Sequence, residues 1–573
     1  MEKRTLLCLA LVAILTVTFI GMSPVAQTTA RPIRVLINGA PLTMEVAPVL
    51  RTGRVLVPMR AIFEALGAVV TWQDDLSIIR ATHRQTALVL QIGNNTAWAS
   101  GTRRRLDVPP VLVENRTMVP LRFVSESLGA NVSWDEATHT VTITHSPVIA
   151  QPPTNRIPIT FWHGLAQPLG GILEGIVADF NASQNQYEVQ ASFRGTYPDT
   201  MVAAIAAFRA GRAPHIVQMF EVGTATMMAA TGAVMPVHQL MRDTGVPFDP
   251  NVYVPAVRGY YSLSDGRMMA LPFNSSTTVM FYNKDAFRAA GLDPERPPRT
   301  WAELRTAALR IRETNAASIG FTTSWPTWAQ FEQFSAVHDV PLATRANGLD
   351  GMDAVLAINS PLHVRHVQTL MDMHKEGSFT YGGRDAAGDA IFVSGQAAII
   401  HASSGLRARI VRDAKFDWGV AMLPHYEDVR GAPLNSIIGG AAFWAMTSPG
   451  RTAEEYRGVA EFFRFVSQPH VAAWWHMDTG FVPVTFPAFE LTESLGYYSR
   501  HVGTDLPYRQ LTRATPTENS RGLRLGNMPE IRVVIQEELE SAFQGRQTAQ
   551  QAMDNAVLRG NAILRTFERM NRP

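Results

Sequence analysis

Three neighbouring stretches, ITFWHG (159–164), GGILEGIVADFNASQ (170–184) and YEVQASFRG (187–195), read as strand, helix and strand. The outer two are strand-like, and the middle one repeats apolar residues at helical spacing. A second helical period follows in PDTMVAAIAAFRAGRAP (198–214), and RTWAELRTAALRIRETN (299–315) opens with Thr300 and Glu303 in capping-box positions. The last helix carries Met553, Ala556, Val557, Gly560, Ile563, Leu564 and Phe567 along one face. Helices alternating with strands predict α/β layers, and a segment as long as 158–573 suits two lobes rather than one.

Upstream lies a repeat. RVLVPMRAIFEALGAVVTWQDD (54–75) returns as RTMVPLRFVSESLGANVSWDEA (116–137), with Arg54, Pro58, Gly67 and Trp72 recurring as Arg116, Pro120, Gly129 and Trp134. Each copy reads as a strand, a short helix stopping at the glycine, and a strand, so the two predict one small α+β module over 31–147. This pair resembles the copper-amine-oxidase-like N-terminal (stalk) domain. The resemblance does not imply an amine oxidase, because no Asn-Tyr-Asp/Glu cofactor motif occurs in the chain and His83, His139 and His145 lack ligand spacing. A spacer or wall-facing module is the expectation, with cell-wall polymer as its partner. SPVIAQPPTNRIP (146–158) is proline-rich and polar, an extended linker (148–157) that gives the stalk no route to a site farther on.

At the N-terminus, MEKRT followed by LLCLALVAILTVTFIGM and SPVAQTTA has the basic, apolar and small-residue order of a secretory signal over residues 1–30. An exported protein is expected, in the periplasm or on the outer face of the envelope. Cys8, the single cysteine, lies at the start of the apolar run, so a cleaved chain holds no thiol and no cysteine-based metal site or nucleophile. A formal net charge of +2 carries no clustered basic excess of the kind that binds nucleic acid.

The chain contains no P-loop, GxGxxG, HExxH or GxSxG motif, and His163 beside an apolar strand reads as a structural histidine. An exported, two-lobed α/β chain without a catalytic constellation points to capture rather than turnover, with no cofactor.

Several stretches then match one family: ITFWHG, AAFRAGRAPHIVQMFEVGTATMMAA, LPFNSSTTVMFYNKDAFRAAGLDPERPPRTW, SIIGGAAFWAM and GLRLGNMPEIRVVIQEELE. From about Ile159 to Phe567 the chain resembles the family 1 extracellular solute-binding proteins, in particular the sn-glycerol-3-phosphate-binding subgroup that serves Ugp-type ABC importers. The resemblance implies a two-lobed periplasmic-binding-protein fold (type II-like), a monomer, an ABC permease as partner, and sn-glycerol-3-phosphate or glycerophosphocholine as ligand. A sugar binder of the same fold and an envelope interaction protein acting through the stalk are the alternatives.

Carried over position by position, the family's site falls on Tyr197 (GTYPDT), Glu221 (FEVGT), Ser276 (FNSST), Trp325 and Trp328 (SWPTWAQ), Ser403 (HASSG), Gly440 (IIGGA), Phe481 (TGFVP) and Arg532 (MPEIR). The resemblance implies that Arg532 offers a fork of N–H groups to phosphate. Gly440 admits the backbone N–H, and Ser276 and Ser403 add hydroxyls. Glu221 is expected at the other end, on the glycerol hydroxyls, with Tyr197 beside it. Thr323 or Ser324 is expected to cap a helix whose first turn contains Pro326. By themselves the residues leave core burial and a ligand platform both open for the two tryptophans; the resemblance implies the platform. Phe481 stands where the family has tyrosine, so one phenol is missing, a gap that Thr479 could fill.

Overall fold

A computed structural model describes residues 31–83, 86–145, 155–263 and 265–571. The expected signal segment and the linker residues 148–154 lie outside the described residues.

The strand Ile157–His163 pairs in parallel with Tyr187–Phe193 and with Ile216–Phe220. Parallel partners need long crossovers, and the helices Leu169–Ser183 and Tyr197–Arg209 supply them. Gly439–Met446 adds antiparallel to Ile216–Phe220, and Leu271–Ser276 and Val234–Met235 pair with it in turn. Phe161, Leu173, Val217, Phe443 and Phe462 are fully buried in the core around this sheet. The second lobe holds a four-stranded sheet in the order Ile319–Thr323, Ala397–Ser403, Thr278–Asn283, Trp418–Ala421.

The chain passes from the first sheet to the second at Thr277, which separates two adjoining strands. The Thr277 hydroxyl donates to Ser436 Oγ (2.7 Å), on the segment that carries the chain back. The capping box at Thr300 and Glu303 is formed as expected. In the last helix, Ala549–Asn571, Met553, Ala556, Gly560, Leu564 and Phe567 are buried, while Val557 and Ile563 lie at the margin of that face.

Each stalk repeat folds as strand, helix, strand: Arg54–Pro58, Met59–Ala65 and Val69–Gln73, then Arg116–Pro120, Leu121–Ser127 and Asn131–Asp135. Gly67 (φ +71°) and Gly129 (φ +84°) end the helices in left-handed conformation. The first strands of the two copies pair antiparallel with Val57 opposite Val119, and these are equivalent positions. A local twofold therefore passes between them, and it brings His83 and His145, also equivalents, ring to ring at 5.6 Å.

The stalk does not stand clear of the rest of the chain as a free spacer would. One face of its five-stranded sheet packs Leu76, Ile78, Val89 and Trp98 on Ala472, Ala473, Met477, Leu491 and Tyr497. Trp98 Nε1 donates to Ser494 Oγ (3.2 Å), and Gln91 Nε2 donates to the Leu495 carbonyl (3.0 Å). The Arg80 guanidinium lies 3.7 Å from the Trp474 ring centre and 3.8 Å from the Asp478 carboxylate. The face it covers belongs to the helices Pro469–Thr479, Phe486–Ser494 and Tyr497–Arg500.

Candidate functional site

A cavity of about 440 Å³ opens between the lobes, and all nine positions carried over from the family border it. They arrive from elements far apart in sequence. Ser276 and Ser403 end strands of the first and second lobes, and Gly440 lies near the start of a returning strand. Tyr197 opens a helix at its capping box, and Glu221 begins a one-turn 3-10 helix directly after a fully buried strand. The site thus gathers where strands end and chain crossings meet, the usual place for ligands in α/β sheets.

On the first-lobe wall a chain of amides fixes Tyr197. Its phenol oxygen accepts from Asn274 Nδ2 (2.8 Å), Asn274 Oδ1 accepts from Gln218 Nε2 (2.8 Å), and Gln218 Oε1 accepts from the Gly164 amide (2.9 Å). The ring stacks on Phe220 at 5.7 Å, and burial holds its phenol well above the usual pKa. Its proton stays available for donation. Gly440 has φ +86°, and a Cβ there would lie 1.9 Å from the Asn274 carbonyl oxygen, so only glycine lets these two backbones meet.

Arg532 departs from expectation. It is 7% exposed, and its fork is occupied: Nε donates to Glu332 Oε1 (2.7 Å) and Nη2 to Glu332 Oε2 (2.7 Å). Nη2 also donates to Glu221 Oε1 (2.6 Å). Nη1 alone among its donor nitrogens has no protein acceptor among the described residues. The guanidinium thus offers an anion one nitrogen rather than a fork, and Glu221 sits beside Arg532, not at the opposite end of the site. Burial works against the Arg532 charge, but Glu332 and Glu221 outweigh it and hold its pKa above the ordinary value. Burial pushes the Glu221 carboxyl up; Arg532 pulls it down and the charge of Glu332 pushes it further up.

Glu332 was not among the residues singled out from sequence. It ends a π-helical turn, Trp328–Glu332, that follows the tryptophans. An acid inside the apolar run WAQFEQFSAV (328–337) was the available signal, because a carboxylate buried among phenylalanines needs a partner.

The tryptophans are not equivalent. Trp328 is 4% exposed and packs on Gly439, where a Cβ would lie 2.2 Å from its ring. Trp325 is half-buried at φ +49°, a left-handed conformation strained for a bulky residue, and its amide donates to the Asp385 carbonyl (2.6 Å). Neither expected cap forms. Ser324 Oγ donates instead to Asp389 Oδ1 (2.5 Å), and Thr323 Oγ1 accepts from Gln330 Nε2 (3.0 Å). Burial raises the pKa of Asp389 to about 6. Asp385, Asp389 and Arg409 also border the cavity and were missed from sequence.

Phe481 is 3% exposed, stacks on Trp475 (5.5 Å, 6° between planes), and sets its para carbon over Gly405, a position open only because residue 405 has no Cβ. Thr479 cannot fill the phenol's place, because its hydroxyl donates to the Trp475 carbonyl and accepts from the Phe481 amide. Ser403 Oγ accepts from the Gly405 amide (3.2 Å). His163 is buried, burial lowers its pKa, and its Nδ1 accepts from the Leu165 amide (3.4 Å).

Comparison with known proteins follows the same division of the chain. Residues 36–143 match the family model described as copper amine oxidase N-terminal domain, and residues 165–473 match that of bacterial extracellular solute-binding protein. The sn-glycerol-3-phosphate-binding periplasmic protein UgpB of Yersinia pseudotuberculosis is 48% identical over 415 residues, covering 72% of this chain and 94% of its own. The protein of the same name from Salmonella typhimurium is 45% identical with the same coverage. Among solved structures, UgpB of Mycobacterium tuberculosis in complex with glycerophosphocholine superposes with TM-score 0.61 at 22% identity, over 72% of this chain and 99% of its own. The cyclic alpha-maltosyl-1,6-maltose binding protein of Arthrobacter globiformis does so with TM-score 0.58, also at 22% identity, over 72% of this chain and 100% of its own. At that identity the structural matches speak for the fold alone. Family model, relatives and two-lobed architecture agree: the chain belongs to the bacterial extracellular solute-binding protein family, with a domain of the copper amine oxidase N-terminal type preceding it.

Proposed function

We propose that this protein captures sn-glycerol-3-phosphate or a glycerophosphodiester such as glycerophosphocholine in the interlobe cleft, outside the cytoplasmic membrane, and delivers it to the permease of an ABC importer. The observation that carries this reading is the convergence of nine scattered positions, from Tyr197 to Arg532, on one cavity of about 440 Å³. Such a volume suits a small polar ligand surrounded from both sides. Relatives at 45–48% identity named for sn-glycerol-3-phosphate support it.

Arg532 Nη1, the hydroxyls of Ser276 and Ser403 and the backbone at Gly440 form the anion end. Glu221 accepts from a ligand hydroxyl through the oxygen that Arg532 does not use, and Tyr197 donates its phenol proton. Trp325 and Trp328 cover the ligand's carbon face. The role is binding without turnover, by a monomer, and the docked stalk is an envelope-facing module whose partner is wall polymer.

Isothermal calorimetry with sn-glycerol-3-phosphate, glycerophosphocholine and maltose tests the ligand. Saturable binding of either phosphate ester, with none of maltose, is the expected result. Maltose binding alone would move the protein to the sugar-binding members of the fold.

A further inference from the structure

We propose that Glu332 sets the charge preference of the cleft, weighting it toward phosphodiesters with one negative charge and against dianionic phosphate monoesters. The proposal rests on the reading of the cleft as a phosphate-ester site.

A dianion calls for several converging donors and an excess of positive charge. The cleft supplies neither in full. Of the three guanidiniums that border it, Arg384 is paired with Glu540 (2.7 Å), Arg409 lies 3.8 Å from Asp413, and Arg532 meets two buried carboxylates at 2.6–2.7 Å, Glu332 being 2% exposed and Glu221 5% exposed. Glu332 takes the whole fork, Nε and Nη2, and leaves Nη1 for a ligand. The residue at 481 has no phenol to donate, and the neighbouring Thr479 hydroxyl is spent on the Trp475 carbonyl. The Asp385 carboxylate borders the cavity next to Trp325, has no hydrogen-bond partner among the described residues, and lies close enough to Arg532 to interact with its charge. Trp325 and Asp385 together suit a ligand with a cationic end, as an aromatic face with a nearby carboxylate does for a quaternary ammonium.

Glu332 lies under the guanidinium with both oxygens on its fork, so its charge acts on whatever Arg532 binds. Removing one negative charge there favours a second negative charge on the ligand. At an effective dielectric near 20, a unit charge in such a place changes the ratio of affinities by about tenfold.

The test titrates the full chain, wild type, Glu332→Gln and Glu332→Asp, with sn-glycerol-3-phosphate and glycerophosphocholine at pH 7.5, where a phosphate monoester is mostly dianionic. Glutamine keeps the shape and drops the charge, so the affinity ratio is expected to move about tenfold toward glycerol-3-phosphate. Aspartate keeps the charge, so its ratio is expected to match wild type even if both affinities fall. An unchanged ratio in Glu332→Gln overturns the proposal while leaving phosphate-ester capture in place. A fivefold or larger shift in Glu332→Asp overturns it too, and that arm decides even if the glutamine variant does not fold. Failure of wild type to bind either ligand overturns the capture reading itself.

Discussion

Asp389 shows how a single side chain in the cleft wall couples to pH. Its carboxyl is raised to about 6 by burial, while in the unfolded chain it titrates near 4. Between those values the folded state holds a proton that the unfolded state has released, so this group's contribution to stability falls as pH rises from about 4 to 6. Asp389→Asn is expected to stabilise the free protein at pH 7.5 by about 1–3 kcal/mol and to lose that advantage below pH about 4, measured by urea unfolding. Phe481 is the residue-scale test of the anion end. Phe481→Tyr adds a donor at the para position over Gly405, and a hydrogen bond to a charged acceptor contributes about 1.5–3 kcal/mol. Glycerol-3-phosphate is expected to bind about tenfold tighter or better. No gain would place the anion away from this wall.

At the scale of elements, the turn from Ser324 to Glu332 joins three separate tasks. Trp325, strained at φ +49°, sits at the cleft; Trp328 plugs against Gly439; Glu332 grips Arg532. The π turn widens the helix by one residue where these side chains must diverge, a common placement for such turns. Trp328→Ala is expected to cost about 3–5 kcal/mol of stability, the range for emptying a buried aromatic. Trp325→Gly is expected to leave stability unchanged or raise it by up to about 1 kcal/mol, because glycine adopts φ +49° without penalty, while ligand affinity drops. Equal destabilisation by both would mean that the two rings share a core role. The helix Pro469–Thr479 divides its surface in a similar way: Ala472, Ala473 and Met477 lie under the stalk, and its end leads through Gly480 to Phe481 in the cleft.

At the scale of the molecule, the stalk belongs to the folded body. Deleting residues 31–147 uncovers the apolar face of Ala473, Met477, Leu491 and Tyr497, and the melting midpoint of the remainder is expected to fall by roughly 3–8 °C. An unchanged midpoint would show that the interface adds nothing to stability. A second global property follows from buried histidines. Burial pushes His338, His470 and His476 down to about 4 and His363 and His401 to about 3, whereas all five titrate near 6.5 when unfolded. Their folded pKa values are depressed, so the unfolded state binds more protons below 6.5 and stability is lost as pH falls. Each contributes up to about 1.4 kcal/mol per pH unit between its two values. Together they outweigh Asp389, whose effect has the opposite sign, and the urea midpoint of wild type is expected to decline steadily from pH 6.5 to 4.5.

Local order was legible wherever local rules decide it. The capping box at Thr300, the stop glycines Gly67 and Gly129 and the apolar stripe of the last helix are set by neighbours within a few residues, and sequence determined them. The 62-residue repeat likewise determined that the stalk is two copies of one unit. The site positions were legible only through a family likeness, since no spacing rule joins Tyr197 to Arg532. Sequence had one unused hint of the docked stalk: TALVLQ (86–91) is a near-continuous apolar run, and its strand is covered on both faces, Leu88 and Leu90 inward and Val89 toward Tyr497. What occupies the fork of Arg532 was decided only in three dimensions. A guanidinium takes the best partners within reach, and Glu332, 200 residues earlier in the chain, comes within 2.7 Å only after the two lobes have formed. The cap at Ser324 failed for the same reason, because Asp389 offered its hydroxyl a buried charged acceptor that the local helix could not match.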